Sequence, residues 1–185
     1  ILMIRSFVSE LKGKLETFRT LNNKEIRKIN EIAKKYNIKY HNKHKLDLVD
    51  EILSNVDIIP NSIALAQAAI ESGWGKSRFA KEYNALFGEY TYDDSEGVIP
   101  LERENGDTHL IKAFSSYSNS VESYFDNINS HNAYEDFRDI RNIMRKRNNF
   151  SNVNLLVNKL STYAEDENYI KTCLLYTSDA ADDDT

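Results

Sequence analysis

Between Ile63 and Ile70 the chain reads Ile-Ala-Leu-Ala-Gln-Ala-Ala-Ile, apolar except at Gln67. A helix that is apolar almost all round has to be buried, so the fold of this chain is built around that segment. Pro60 just upstream suits a helix's first turn. Gly73 and Gly75 just downstream end the helix. Gln67 and Glu71 interrupt the apolar surface at i, i+4 and share one face. Glu71 is the sharper anomaly, because burying a carboxylate is costly. Two effects raise the pKa of an acid at this position. Apolar neighbours, with Trp74 as a candidate wall, disfavour the charged form by desolvation. The negative end of the helix dipole acts in the same direction. A carboxylic acid kept protonated near neutral pH is what glycosidic bond cleavage requires of its general acid. The alternative is an exposed helix-end residue, with the glycines serving only as a C-cap.

Two prolines and six glycines in 185 residues favour helices over a turn-rich β fold. Asn22-Asn23 followed by Glu25 predicts a capped helix start, and Ile26, Ile29, Ala33 and Tyr36 then recur at helical spacing. Leu46, Val49, Ile52 and Leu53 predict another short helix, and a further one runs from Lys76 towards Tyr83. The middle changes character. Gly88 to Tyr92, Val98 to Glu104 and Thr108 to Phe114 read as three short strands, with Asn105-Gly106 as a tight hairpin. Helical spacing resumes at Val121, Tyr124, Phe125 and Ile128, continues through Tyr134, Phe137, Ile140 and Met144, and ends with Val153, Leu156, Val157 and Leu160. Arg138, Arg141, Arg145 and Arg147 are expected on a solvated helix face. The expected fold class is mainly α with a small antiparallel β lobe, an α+β arrangement. Residues 1–57 read as a helical lead-in and 58–172 as the catalytic domain. Residues 173–185 read as a non-native tail, because Cys173 to Asp182 resembles the translation of a transposase adapter used in preparing sequencing libraries. The chain opens on Ile1 rather than Met, which suggests a fragment or processed form.

The length suits one domain with a real core. A hydrophobic content of 41% with 29% charged residues is that of a folded globular chain. No apolar run approaches the roughly 20 residues of a membrane-spanning helix. The formal net charge is −5, but without Asp179, Asp182, Asp183 and Asp184 it is about −1, so acidity implies nothing about partners. The arginines are too sparse, and too free of interleaved aromatics, to argue for nucleic acid. A single cysteine gives no disulfide framework and no thiol metal site. His109 and His131 lack a second ligand at a metal-like spacing. No metal and no cofactor are expected, and the chain is expected to be a monomer.

The block IALAQAAIESGWGKSRFAKEYNALFG, from Ile63 to Gly88, resembles the glucosaminidase domains of glycoside hydrolase family 73, most closely the bacterial Bax-like branch. The resemblance continues through Gly97-Val-Ile-Pro100, Thr108-His109, the region of Val121 to Tyr124 and Asn129-Ser-His-Asn-Ala-Tyr134. It ends at Ser161-Thr-Tyr163 and Tyr169-Ile170. It covers roughly residues 45–172, and its AQAAIESGWGKSRFA core is highly specific. It implies a lysozyme-like fold, with helices flanking a cleft and a small β lobe on one side. It implies cleavage of the β-1,4 bond after N-acetylglucosamine in peptidoglycan glycan strands, with Glu71 donating the proton. The implied location is the bacterial cell envelope, any signal or anchor being missing from this chain. Asn84, Phe87, His109 and Tyr134 match family motif positions and join Gln67, Ser72 and Trp74 as candidates to line the substrate cleft. For Phe87 the alternative is the core, and for Trp74 it is packing under the helix end.

Two-carboxylate glycosidases place the second group roughly 5–9 Å from the first. The β lobe offers Glu89, Asp93, Asp94, Glu96, Glu102 and Glu104. Glu102 and Glu104 alternate onto one face of their predicted strand. That makes Glu102 the candidate base, with Glu104 behind it, unless these acids are simply solvated hairpin residues. A route without a second carboxylate uses the substrate's own 2-acetamido group as nucleophile. Tyr163, in a segment resembling the family's C-terminal tyrosine motif, is the candidate to orient that group. Two other functions compete. A lytic transglycosylase of the lysozyme superfamily shares the helix-end Glu-Ser, although the Gly73-Trp74-Gly75 continuation favours the hydrolase. A non-catalytic wall-binding module is the third reading.

Overall fold

The computed structural model describes residues 1–100, 108–148, 152–161, 163 and 168–182. The chain is mainly helical with one small antiparallel sheet, as expected. In order come α1 (Leu2–Glu16), α2 (Asn23–Lys35), α3 (Lys45–Asn55), α4 (Asn61–Ser72) and α5 (Arg78–Tyr83). The strands follow: β1 (Tyr90–Thr91), β2 (Gly97–Val98) and β3 (Leu110–Lys112). Then come α6 (Tyr117–Ser130), a 3-10 turn (Asn132–Tyr134), α7 (Glu135–Lys146), α8 (Val153–Val157) and α9 (Tyr169–Asp182). Two compact units divide the chain. The first holds Ile1–Ile59 and Asp126–Ala164, and the second holds Pro60–Phe125 and Glu165–Thr185. Among the described residues no helix is long and apolar enough to cross a membrane.

The first unit is built on Val8 and Leu11 of α1, Ile29 and Ala33 of α2, and Leu48 and Ile52 of α3, all fully buried. Helix α2 starts where its residues predict. Asn22 Oδ1 accepts from the Glu25 backbone N–H at 3.0 Å, and the Glu25 carboxylate accepts from the Asn22 N–H at 2.9 Å. This reciprocal box satisfies two of the backbone donors that a helix start otherwise leaves unpaired. Lys14 of α1 reaches the same Glu25 carboxylate at 2.5 Å.

Beyond α3, the buried Asp57 organises the unit. Its carboxylate accepts from Arg145 Nε at 2.8 Å and Nη2 at 2.6 Å, and it pairs with Arg5 at 3.2 Å. Asn129 closes a two-way amide bond with the Asp57 backbone. Arg141 donates to the carbonyls of Asn55, Asp57 and Ile58. The expectation of a solvated arginine face is corrected here. Arg141 is fully buried and Arg138 nearly so. Arg138 donates to the carbonyls of Ile128, in the last turn of α6, and of His131, just beyond it. Burial holds the Arg141 guanidinium down at about 9, against the opposing pull of Asp57.

The second unit contains α4, the sheet and α9. The all-apolar reading of α4 also needs correction, because Leu65 is 63% exposed while the polar Gln67 is fully buried. The sheet has the order β1-β3-β2 and is antiparallel throughout. Its strands are shorter than predicted, and Asn105-Gly106 and the end of the second predicted strand lie outside the described residues. Gly97 is required for the close approach of β2 to its neighbours. A Cβ there would meet Leu110 Cβ at 2.5 Å and Thr91 Cγ2 at 2.8 Å. In α9, Tyr169, Cys173 and Thr177 are buried.

Replacing one member of a buried charge cluster leaves the others uncompensated. Asp57→Asn is therefore expected to lower the unfolding free energy by about 3 kcal/mol. Urea denaturation followed by circular dichroism measures this, and a loss below about 0.5 kcal/mol would contradict it.

Candidate active site

Glu71 sits in the last turn of α4, and the sequence makes that turn rigid. The Trp74 N–H bonds the Ala69 carbonyl at 2.8 Å, and the Gly73 N–H bonds Ile70 at 3.2 Å. This is a Schellman closure around the left-handed Gly73. Ser72 is buried, and its hydroxyl donates to the Ala68 carbonyl at 2.6 Å while accepting from the Gly75 N–H at 2.7 Å. Ser77 then caps α5 by accepting from the Ala80 N–H. Gly73, Trp74 and Gly75 all have positive φ. For a bulky residue such as Trp74 that conformation is strained. It turns the indole outward, 66% exposed, with its edge against Tyr176 at 5.4 Å between ring centroids. The indole is therefore not enclosed under the helix end.

The surroundings of Glu71 come from elsewhere in the second unit. Asn84, left-handed at the end of α5, donates through Nδ2 to the Phe114 carbonyl at 2.9 Å. The Leu86 N–H donates to Ser120 Oγ, and the buried Phe87 stacks on Tyr124 at 4.0 Å. These ties bring Gly88 (φ +60°) so close that a Cβ there would lie 3.4 Å from Glu71 Oε2. Only glycine combines that backbone with that clearance. On α9, the Tyr169 hydroxyl is hydrogen-bonded to the Glu71 carboxyl. Gln67, one turn before Glu71, donates through Nε2 to Tyr169 at 2.7 Å and accepts the Tyr124 hydroxyl at 2.6 Å. Burial pushes the Glu71 carboxyl up to about 7, and the Tyr169 hydrogen bond pulls against that rise.

The other expected site residues distribute as follows. Gln67 and Ser72 are enclosed, with their polar groups spent on tyrosines and on the turn. They brace α4 and do not face outward as substrate contacts would. Phe87 lies in the core, the alternative open to it from the start. His109 is half-buried against the ring of Tyr90 at 4.2 Å. Tyr134 and Tyr163 belong to the first unit, their rings 6.1 Å apart. Glu102 and Glu104 lie outside the described residues. Of the remaining lobe acids, Glu89 directly follows Gly88 and accepts from Ser123 Oγ at 2.9 Å. Asp93 accepts from Ser95 in an exposed turn, and Glu96 lies 3.7 Å from Lys112. Among the described residues no three His, Cys, Asp or Glu gather as they would around a metal ion. Tyr169 is the residue that sequence reasoning missed. Its only signal was its place at the end of the family resemblance, next to Ile170.

Comparison with known proteins bears on this site. The family model for mannosyl-glycoprotein endo-β-N-acetylglucosaminidase, or glucosaminidase, matches residues 46–176. "Protein bax" of Escherichia coli (strain K12) is 34% identical over 137 residues, which is 74% of this chain and 48% of that protein. "Peptidoglycan hydrolase FlgJ" of Escherichia coli O157:H7 is 35% identical over 92 residues, 44% of this chain and 29% of that protein. The protein of the same name from Salmonella typhimurium is 34% identical over 92 residues. The chain thus spans about half the length of the first relative and under a third of the others. No solved structure matches.

The Glu71 environment makes two predictions. A carboxyl whose pKa rises from 4.5 to about 7 on folding adds stability below pH 4.5, and that contribution is lost as pH climbs through 7. Glu71→Gln cannot ionise. Its Tm advantage over wild type should be smallest at pH 4 and grow to about 3–6 °C at pH 8, as read by calorimetry. An equal change at both pH values would contradict the burial argument. Gly88→Ala should cost about 1–2 kcal/mol through its left-handed backbone, measured by urea unfolding.

Proposed function

The chain belongs to the glucosaminidase family, in its Bax-like branch, and we propose that it hydrolyses the β-1,4 bonds that follow N-acetylglucosamine in peptidoglycan, with Glu71 as general acid. The observation that carries this reading is a carboxyl held near pKa 7 by burial, at the end of a helix whose closing turn is fixed by Ser72 and Gly73. An acid so placed is still largely protonated at neutral pH and is a strong enough donor to act there. Its proton goes to the glycosidic oxygen as the bond to the anomeric carbon breaks. Water completes the hydrolysis, leaving a reducing-end N-acetylglucosamine.

The positive charge that develops at the anomeric carbon needs a partner. Glu102 and Glu104 are the carboxylate contenders. The substrate's 2-acetamido group, oriented by Tyr163, is the route without a second acid. Exposed Trp74 and the Tyr90–His109 pair offer flat aromatic surface to sugar rings. Residues 58–172 are the catalytic part in this reading, and the site of action is the bacterial cell envelope. The name peptidoglycan hydrolase carried by two of the relatives supports the substrate class.

The test is digestion of purified sacculi followed by mass spectrometry. Fragments ending in reducing N-acetylglucosamine are expected. 1,6-Anhydromuramyl ends would instead mark a lytic transglycosylase, and no cleavage would mark a binding module. Glu71→Gln should lower the rate at least about 1,000-fold. Wild-type activity should fall tenfold per pH unit above about 7, because the proton to be donated is lost.

A further inference from the structure

Charge is spread unevenly along this chain. Residues 1–45 carry 12 Lys and Arg against four Asp and Glu, a formal charge of +8 in a chain whose total is −5. Asymmetry of that size within one chain points to an anionic partner. Some of these cations are already spent: Arg5, Lys12, Lys14 and Lys43 each pair with a carboxylate. Helix α2 gathers most of the others. At about 100° per residue, Lys24, Arg27, Lys28, Lys34 and Lys35 fall within about a third of its circumference. The buried Ile29, Ile32 and Ala33 lie on the opposite side. All five cations are exposed, and Glu31 is the one acid on their arc. Lys35 reaches Asp126 at 2.9 Å, whereas Lys24, Arg27, Lys28 and Lys34 have no ion pair among the described residues. Like charges three and four residues apart destabilise a helix, so the fold gains nothing from this stripe. It runs about 16 Å along a rigid element.

The turn that leads into α2 supplies a second, independent observation. The Arg19 N–H bonds the Lys14 carbonyl at 2.9 Å and the Phe18 N–H bonds the Leu15 carbonyl at 3.1 Å. This is a Schellman closure of α1, whose left-handed position is most often glycine. Here Phe18 holds it, at φ +58°, and is 98% exposed. A bulky residue pays strain in that conformation, and an exposed ring returns no packing for it. The use of Phe18 therefore lies outside the chain. Arg19, next to it, is also exposed and has no ion pair among the described residues.

We propose that the α1–α2 turn and the basic face of α2 dock onto a bilayer surface rich in anionic phospholipid, with Phe18 entering the headgroup layer and the α2 cations facing the phosphates. Each signal is weak alone. Cations without an apolar contact are screened by salt, and one ring inserts reversibly, so a stable hold takes both together. Phe18 also selects the partner. An anionic wall polymer would answer the cations but offers an exposed phenyl ring no apolar layer to enter. A bilayer offers both within one surface. The apolar side of α2 stays in the core, so the helix lies on the membrane surface and does not insert. The inference goes beyond the catalytic reading and does not depend on Glu71.

The experiment is co-sedimentation of the full chain with vesicles of phosphatidylcholine alone and of phosphatidylcholine with about 30% phosphatidylglycerol. Binding is expected to the anionic vesicles only, and it should be lost at about 0.5 M salt. Each Lys or Arg near an anionic surface is worth about fivefold in partitioning, so Lys24→Glu/Arg27→Glu/Lys28→Glu should weaken binding at least about 100-fold. All three side chains are exposed, so the variant should keep its fold by circular dichroism and its rate on a soluble peptidoglycan oligomer. Should the triple reversal misfold, Arg27→Gln/Lys28→Gln is the milder change and should still weaken binding about 25-fold. Phe18→Ser should weaken it several-fold and, by relieving the left-handed strain, leave stability unchanged or raised. The proposal is overturned if anionic vesicles fail to capture the chain, or capture the charge variants as well as wild type. Capture by purified sacculi through the same residues, with none by vesicles, would overturn it in favour of a wall polymer. Glu71→Gln should bind vesicles as wild type does. A failed general-acid reading would show in the digests and leave vesicle binding intact, so the two ideas fail separately.

Discussion

A primary amide sealed inside a protein has to have both of its ends paired, and in the second unit that requirement falls on Gln67. Its oxygen and nitrogen are met by Tyr124 of α6 and Tyr169 of α9. Leaving either end unpaired would cost about 1–3 kcal/mol. The three helices are therefore held in one register about a residue that sits one turn before Glu71. Side-chain packing alone tolerates sliding by fractions of an ångström. A pair of short hydrogen bonds to a buried amide tolerates far less. The turn of α4 that carries Glu71 is fixed in part through this junction.

The first unit answers the same requirement with charge. Asp57 is buried and would be expensive alone. Arg5 and Arg145 pair with its carboxylate, while Arg141 spends its donors on the carbonyls around it. Arginine suits this work because its planar fork reaches several acceptors at once and keeps its charge. In both units a polar group that looks out of place in a core sets which elements come together, and the apolar residues then fill the remaining space.

That division explains which features can be read from the chain alone. The start of α2 is legible because Asn22 and Glu25 complete a motif within one turn. The end of α4 is legible because Gly73 is the residue that a left-handed closure needs. Periodicity failed on α4 for a physical reason. When nearly every position is apolar, the pattern carries no information about which side faces in. Gln67 turned inward and Leu65 outward because the buried partners for an amide lie 57 and 102 residues away in the sequence. Arg141 of α7 was misplaced for the same reason, since the carbonyls it meets lie more than 80 residues upstream. Glu71 itself was legible as an anomaly. The neighbourhood of Tyr169 was not, because no local pattern links α4 to α9.

The cost of the site is concentrated where the surrounding structure can bear it. Glu71 is a half-buried acid, near Trp74 in a strained backbone conformation and facing a left-handed Gly88. Each of these lowers stability, and each is held by hydrogen bonds that do not involve the acid: Ser72 to the turn, Asn84 to the strand exit, Ser120 to the Leu86 backbone. Clustered strain with independent support is the arrangement expected where geometry serves chemistry and not stability. It also accounts for the glycines. Gly73 and Gly75 relieve the turn on either side of Trp74, and Gly88 allows another segment to approach the carboxyl without a methyl group between them. A Cβ at Gly73 or Gly75 would meet open space, so there only the left-handed backbone calls for glycine, whereas at Gly88 a Cβ would lie against the Glu71 carboxyl. The high pKa and the close approach of Gly88 are thus linked: the segment that meets the carboxyl at Gly88 contributes to the burial that disfavours its charged form.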